Sequence, residues 1–340
     1  MAAALEGTSV TYEDLADLER EFEDVETEII RQQVALSAPL YVKRTATVSK
    51  IPNFWPLVLE QAPPDIDQYI QPSDSALLLS SLTSVSVSHF EIDPASPSKS
   101  DAGDPRSVSI RFEFSPNDGF SDSVLEKKFW YRQSKDGWTG LVSEPVRIHW
   151  KSADKDLTGG LLDMVCSAWE AELKSKANPS NGSTSGKTSK KLLPEHEALR
   201  KKIEGTGMGG LSFFAWFGFI GPRVGAEESA EAKKLDKERK GKKDSSPPEE
   251  AQIEEGDQED EEEELYMELE IFPDGDDLAI AFSEDLWPGA IKYFTQAQEQ
   301  DALSDLDFES GDEDLGDLLG EVQPSSDSED EPPKKKQKSS

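Results

Sequence analysis

Between Thr11 and Leu36, the residues Leu15, Leu18, Phe22, Val25, Ile29 and Leu36 follow one another at spacings of three, four, three, four and seven, with Gln32 at the one missing step. That alternation is a heptad seam, and it commits the segment to a long helix with a narrow apolar stripe. Asp14, Asp17, Glu19, Glu21, Glu23, Asp24, Glu26 and Glu28 charge the remaining faces, and Thr11 three residues before Asp14 is a start signal of the capping kind. A stripe of this kind stabilises little until something covers it. Burial of each large side chain is worth roughly 1.5–3 kcal/mol, so six per chain can hold two copies together. The alternative is packing on the chain's own core, but an intramolecular helix usually has a wider apolar face. Self-pairing through the six seam residues is therefore the expectation. Pro39 interrupts the pattern and is expected to kink the helix before Tyr41 to Lys50 continue it, over a length on the order of 60 Å.

The rest of the chain cannot supply a large core. Apolar residues make up 35% of the 340 positions, and 23 glycines leave the total below the usual ~45–50%. The formal charge of −34 repels phosphate, which argues against general nucleic-acid binding and for a basic partner. Histones, ribosomal proteins and basic tails are polypeptides of that kind. Cys166 is alone, so no disulfide framework exists and a reducing compartment, cytosol or nucleus, is expected. His89, His149 and His196 are too scattered for a metal cluster. With no apolar signal core and no run of ~18 apolar residues, a soluble protein with no membrane association is expected.

Taken in order, Ile51 to Pro56 ends the long helix with two prolines around Phe54 and Trp55. Short helices broken at Pro63, Pro64 and Pro72 follow, with Asp74 as the expected N-cap of Ala76 to Leu82. From Val85 the period changes to two. Ser107 to Phe114 puts Val108, Ile110, Phe112 and Phe114 on one face, and Val85 to Ile92, Val124 to Gln133 and Pro145 to Trp150 read as its neighbours. A parity slip between Val87 and Phe90 suggests a bulge, Asp93 to Pro105 is a polar loop, and Ser134 to Gly140 is a turn segment. Leu157 to Leu173 is an amphipathic helix whose stripe should cover this antiparallel sheet, which makes the fold α+β. Leu211 to Phe219 is too aromatic to stay in water, and Leu265 to Gln298 supplies further core. The organisation expected is a helix over 1–50 and an α+β domain over 51–298. Disordered inserts are expected near 174–191 and 222–264, then a disordered acidic tail over 299–340 ending in a basic cluster.

Several segments, in this order and spacing, match a known family. They are Ile51-Pro-Asn-Phe-Trp55 after a long helix, Val108 to Phe114 with Leu125 to Phe129 behind it, and Ile148 to Ser152 leading into Lys155 to Thr158. Ser212 to Phe217, Glu284 to Pro288, and Tyr293 with Phe294 complete the set. On these residues the chain resembles the nucleosome assembly protein family, and within it the SET-like histone chaperones, of fungal type. The resemblance covers roughly 11–298 outside the two inserts. It implies a homodimer joined by the long helices, an "earmuff" α+β domain at each end, and a concave acidic underside that holds core histones. The insert from Pro222 to Glu264 is longer than that pattern, and the loop at Ala153 and Asp154 is one residue longer.

With charge continuing into the folded part, the expected histone-binding residues are Asp154, Asp156 and Thr158 together with Asp276, Asp277, Glu284 and Asp285. The implied function is shielding core histones and promoting nucleosome assembly or disassembly in the nucleus, with shuttling to the cytoplasm, by binding rather than catalysis and without ATP or any cofactor. The resemblance also allows a phosphatase inhibitor or signalling scaffold, or a subunit that presents histones to an acetyltransferase. Gly205 to Gly210 spells GxGxxG but lacks a preceding strand, so it reads as a loop, and no nucleophile elbow supports an enzyme. Ser304, Ser310 and Ser328 each have an acidic residue three positions on, which suits acidophilic kinases. Lys334, Lys335, Lys336 and Lys338 form a basic cluster read as a nuclear import signal for an import receptor, with Lys233 to Lys243 as a second candidate.

Overall fold

The computed structural model describes residue 8 and residues 10–95, 103–177, 193–206, 210–241 and 265–311. The chain divides into two units, 1–297 and 298–340. The first element is α1 (Tyr12–Val48), which runs through Pro39 without a break. At 37 residues it is about 56 Å long. Its start is the expected capping box: Thr11 Oγ1 accepts from Asp14 N at 3.1 Å and Asp14 Oδ2 accepts from Thr11 N at 2.9 Å.

Helix α1 has two apolar faces, about 100° apart at 3.6 residues per turn. The seam face stays in solvent: Leu15, Phe22, Ile29 and Leu36 are 46%, 64%, 57% and 75% exposed, and Leu18 and Val25 are exposed likewise. Leu40, one seam step past Leu36, is exposed as well, so the seam extends beyond Pro39. The other face carries Ile30, Val34, Tyr41, Arg44 and Val48 toward the rest of the unit, with Arg44 and Val48 buried.

Short helices α2 (Phe54–Glu60), α3 (Pro64–Asp67) and α4 (Pro72–Ser81) lead into the sheet. Asp74 is not the N-cap of α4. It sits at the third helical position, fully buried, where its carboxylate accepts from Gln71 N, the Ser212 hydroxyl and Phe213 N at 2.9, 2.6 and 2.7 Å. One side chain thus closes the start of α4 and ties it to a segment 138 residues away.

The sheet is a meander of β1 (Leu82–Ser88), β2 (Val108–Phe114), β3 (Val124–Gln133) and β4 (Thr139–Ser143), antiparallel throughout. Two expectations are corrected. The parity slip after Val87 is the end of β1 rather than a bulge, and the register shift lies between Leu82 and Ser84. The fourth strand is Thr139–Ser143, not Pro145 to Trp150, because the turn after β3 is tighter than the sequence suggests. Ser134 N reaches Trp138 O at 2.9 Å, with Gly137 at φ +98. Pro145 lacks the amide a ladder needs, and the residues after it make only one bridge, Phe120 to Trp150.

Helix α5 (Leu161–Ala177) starts four residues later than expected. It buries Leu161, Leu162 and Val165, while Leu173 is exposed and ends outside the core. Helix α6 (Pro194–Thr206) buries His196 and Leu199. The residues Phe213–Gly218 form a 3-10 turn that is the centre of the core. Phe112 meets Phe213, Trp216, Phe217 and Phe282 edge-on at 5.5–6.2 Å, and Trp216 Nε1 donates to Gly275 O at 2.7 Å. Fully buried Lys127 reaches across from β3 and donates to the carbonyls of Glu144, Phe217 and Phe219 at 2.9–3.2 Å.

The expected disordered insert at 222–264 also needs correction. Residues 226–241 of it form α7 (Ala226–Gly241), docked on β3 by buried Ala232 and by Gln133 N donating to Ser229 Oγ at 3.0 Å, and tied to the loop before β2 by a Lys233–Asp104 ion pair at 3.2 Å. Residues 242–264 lie outside the described residues; of the insert expected near 174–191, residues 174–177 are instead the last turn of α5, and 178–191 lie outside the described residues. Finally come α8 (Gly275–Ile280), a π-helical turn (Ala281–Leu286) and α9 (Trp287–Gly311), which continues past the boundary expected at 298.

Candidate functional site: an acidic cleft beside the long helix

The inner face of α1 does not close onto the domain along its whole length. It leaves a cleft of ≈ 1050 Å³ walled by Ile30 and Val34 of α1, Val87 and Leu141 of the sheet, and the segment from Asp276 to Trp287. The closed end is an aromatic box. Trp55 stacks on Trp287 at 5.4 Å and 6°, Tyr41 lies 5.3 Å from Trp287, and the Arg44 guanidinium sits 4.0 Å from the Trp287 ring. Arg44 Nη1 also donates to the Trp287 carbonyl, and burial pushes its pKa down to about 10. Such cation–π packing fixes where α1 leaves the domain, and so the width of the cleft.

Two of the expected histone-binding residues line this cleft. Asp276 is half-buried on α8, and its burial, then the neighbouring Asp277 and Asp274, hold its carboxyl above the ordinary carboxylate range. Glu284 is exposed on the π-helical turn, where Trp287 N bonds the Phe282 carbonyl five residues back. The extra residue of a π-turn rotates the chain by a step relative to an α-helix, and such turns recur at functional sites. Asp277 and Asp285 are exposed nearby but do not line the cleft, and Asp285 accepts the Tyr293 hydroxyl at 2.8 Å.

Asp154, Asp156 and Thr158 are not brought to this cleft. Asp154 is exposed in a separate groove of ≈ 540 Å³ with Asp118 and Leu77, and a hydrogen bond from Ser152 holds its carboxyl below the ordinary range. The carboxylate of Asp156 is turned into its own loop, accepting from Thr158 N, Thr158 Oγ1 and Gly160 N at 2.8, 2.6 and 2.8 Å. Thr158 is 2% exposed. These two residues build the entry to α5, where Thr158 is closed off and Asp156 stays partly exposed. What sequence reading missed is the wall: Ile30, Val34 and Tyr41 belong to a second stripe on α1 at helical spacing, visible beside the seam. Among the described residues, no group of three or more His, Cys, Asp and Glu could hold a metal ion, and no helix is long and apolar enough to cross a membrane.

A nucleosome assembly protein of Schizosaccharomyces pombe is 37% identical over 150 residues, covering 41% of this chain and 57% of that protein. Vacuolar protein sorting-associated protein 75 of Saccharomyces cerevisiae is 26% identical over 332 residues, covering 95% of this chain and 93% of that one. Among solved structures, one of Vps75 aligns at 24% identity and a TM-score of 0.47, covering 84% of this chain and 96% of that chain. One of Ccp1 aligns at 26% and 0.44, covering 84% and 95%. The family model described as nucleosome assembly protein (NAP) matches residues 6–297, so the chain belongs to the nucleosome assembly protein family.

Proposed function

We propose that this protein is a histone chaperone that dimerises through the α1 seam, binds core histones on its acidic surfaces, and promotes nucleosome assembly in the nucleus by binding alone. The observation that carries the reading is the cleft beside α1, where Asp276 and Glu284 meet an apolar floor in a chain of formal charge −34. Carboxylates here compete with DNA phosphate for the same Lys and Arg groups, while a shaped floor discriminates among basic proteins. The exposed seam has room for a second copy, and pairing would double the acidic surface presented to one histone pair. The import signal at Lys334 to Lys338 and the modification candidate Ser328 lie outside the described residues, whereas Ser304 and Ser310 fall within α9. We assign to them nuclear import with return to the cytoplasm, and a modest gain in histone capture on phosphorylation.

The test is the affinity for each core histone pair across a salt series, with and without residues after Gln300, and with DNA as competitor. Tight binding that persists without the tail near physiological salt, and that keeps histones off DNA, is the expected outcome. Binding that vanishes with the tail, or collapses as the screening length shortens to about 8 Å at physiological salt, would reduce the chain to a polyacid sink.

A further inference from the structure

Among the described residues, seven buried side-chain nitrogen and oxygen atoms have no hydrogen-bond partner, and four of them gather at one place. They are Glu172 Oε2 on α5, His196 Nε2 on α6, and Nε and Nη1 of Arg223. Glu172 and His196 are 5% and 3% exposed. Glu172 Oε2 lies 3.5 Å from Arg223 Nη2 and 3.9 Å from His196 Nε2, whereas a hydrogen bond spans about 2.7–3.2 Å. Gaps of that size between polar groups are the ones a water bridges. His196 and Arg223 also wall a cavity of ≈ 20 Å³ with Trp169, Tyr266 and Glu270, and it shares no residue with the cleft beside α1.

Room and charge select the occupant. A space of about 10–15 Å³ with two to four polar partners holds one water molecule. The Arg223 guanidinium repels a cation, while Glu172 and Glu270 oppose an anion, which leaves a neutral guest. Lys176 takes the other oxygen of Glu172 at 2.8 Å. Burial lowers the His196 pKa against the pull of Glu172 and Glu195 and with the help of Arg223, so the ring is neutral near pH 7 and Nε2 can accept. Both ends of the 222–264 insert meet here. The Arg223 guanidinium lies 4.8 Å from the Trp169 ring centroid and 4.7 Å from that of Tyr266, and Glu270 accepts from Ile220 N and Gly221 N at 2.9 and 3.2 Å.

We propose that one water molecule is bound in this cavity, accepting from the Arg223 guanidinium and donating to Glu172 Oε2 and His196 Nε2, and that it latches both ends of the insert, with α7 between them, to α5 and α6. A proton on Nε2 turns that acceptor into a donor, so acid opens the latch. The sign is that of a lowered histidine: the closed state binds the proton less readily than the open one, so closure weakens as pH falls below 6.5.

The test makes two measurements on the full-length protein. A crystal structure fine enough to show ordered solvent is expected to place one peak within about 3.2 Å of Glu172 Oε2, His196 Nε2 and an Arg223 nitrogen. A dry cavity, or a peak that bromide replaces on soaking, would overturn the bound water. Hydrogen exchange of residues 226–241 reads the latch, with β2 as internal reference. In the wild type, protection of that segment relative to β2 should fall below pH 6.5 by up to about tenfold per unit. His196→Phe, which fills the cavity and carries no Nε2, should lose about tenfold in protection at pH 7 and show none of that pH dependence. Glu270, raised by burial, titrates with the opposite sign but is common to both proteins, so their difference is the reading. Wild-type protection that stays flat between pH 7 and 5.5, or that equals the variant's throughout, would sink the latch. The wild-type series alone decides it should the variant fail to fold.

Discussion

The α1 seam and the segment from Phe213 to Phe219 are both apolar stretches that water disfavours, and they end in opposite environments. Phe213, Phe214, Trp216 and Phe217 are at most 1% exposed, whereas every seam residue from Leu15 to Leu36 is at least 46% exposed. The aromatic segment has no period and spends its apolar surface in all directions within the domain. The seam has a strict period and confines its surface to one stripe, with charge on both sides. A narrow stripe left bare by its own chain is shaped for another chain. The same contrast separates the carboxylates. Asp156 accepts three hydrogen bonds from its own loop, whereas Glu284 stays exposed on the cleft.

The sharpest way to break the comparison is to charge the seam. L18D/F22D is expected to raise the dimer dissociation constant more than about a hundredfold, since each copy forfeits two burials worth roughly 1.5–3 kcal/mol. Sedimentation across a dilution series reads it, and an unchanged mass would mean that the seam does not join the copies. Phe213→Ala should instead cost about 3–5 kcal/mol of unfolding free energy with no change of oligomeric state while folded. A smaller effect separates the two carboxylates. Asp156→Ala removes three hydrogen bonds at the entry to α5 and should cost about 1–3 kcal/mol, read as a shifted urea midpoint, with histone affinity unchanged. Glu284→Gln should do the reverse, weakening histone binding by about threefold at constant midpoint. If both variants move the same observable, the division into loop-building and partner-facing carboxylates is wrong.

How far the sequence could be read follows from where each signal resides. Helix α1 was legible from its strict period alone, and β2 because period and burial coincide: Val108, Ile110, Phe112 and Phe114 alternate and are all buried. Strand β4 was not, because Thr139 and Gly140 look like turn residues and only the tight Ser134–Trp138 closure reveals a hairpin. Helices α6 and α7 bury few apolar side chains and hold on with polar ones, so composition hides them. At the site, charge counting picked Asp276 and Glu284, which the fold brings to one cleft, together with Asp156 and Thr158, which it keeps apart from it, because sequence cannot distinguish a free carboxylate from one folded back on its own amides. The Arg44 contact with Trp287 spans 243 residues and is written in no local pattern.

The smallest effect concerns the centre that both regions rely on. Burial pushes the Lys127 ammonium from 10.5 down to about 7, with the Glu270 carboxylate working against that shift. Below pH 7 the lysine is charged in both folded and unfolded chains and contributes no slope. From about 7 toward 10.5 the unfolded chain keeps a proton that the folded one has released, so stability rises with pH over that window. The buried Cys166 thiol, raised to about 11, pulls the opposite way only once pH passes its ordinary 9. His89 and His196 are both lowered from 6.5 by burial, so their slopes lie below the window. Burial also raises the Glu270 carboxyl, whose slope has the opposite sign, so Lys127 is read from the difference between wild type and variant in urea midpoints from pH 7 to 8.5. The wild type should gain stability across that interval and Lys127→Met should lose the gain, whatever its lower baseline. A parallel slope in both would mean that the three carbonyls of Glu144, Phe217 and Phe219 keep the ammonium charged, and that the core closes around a permanent cation.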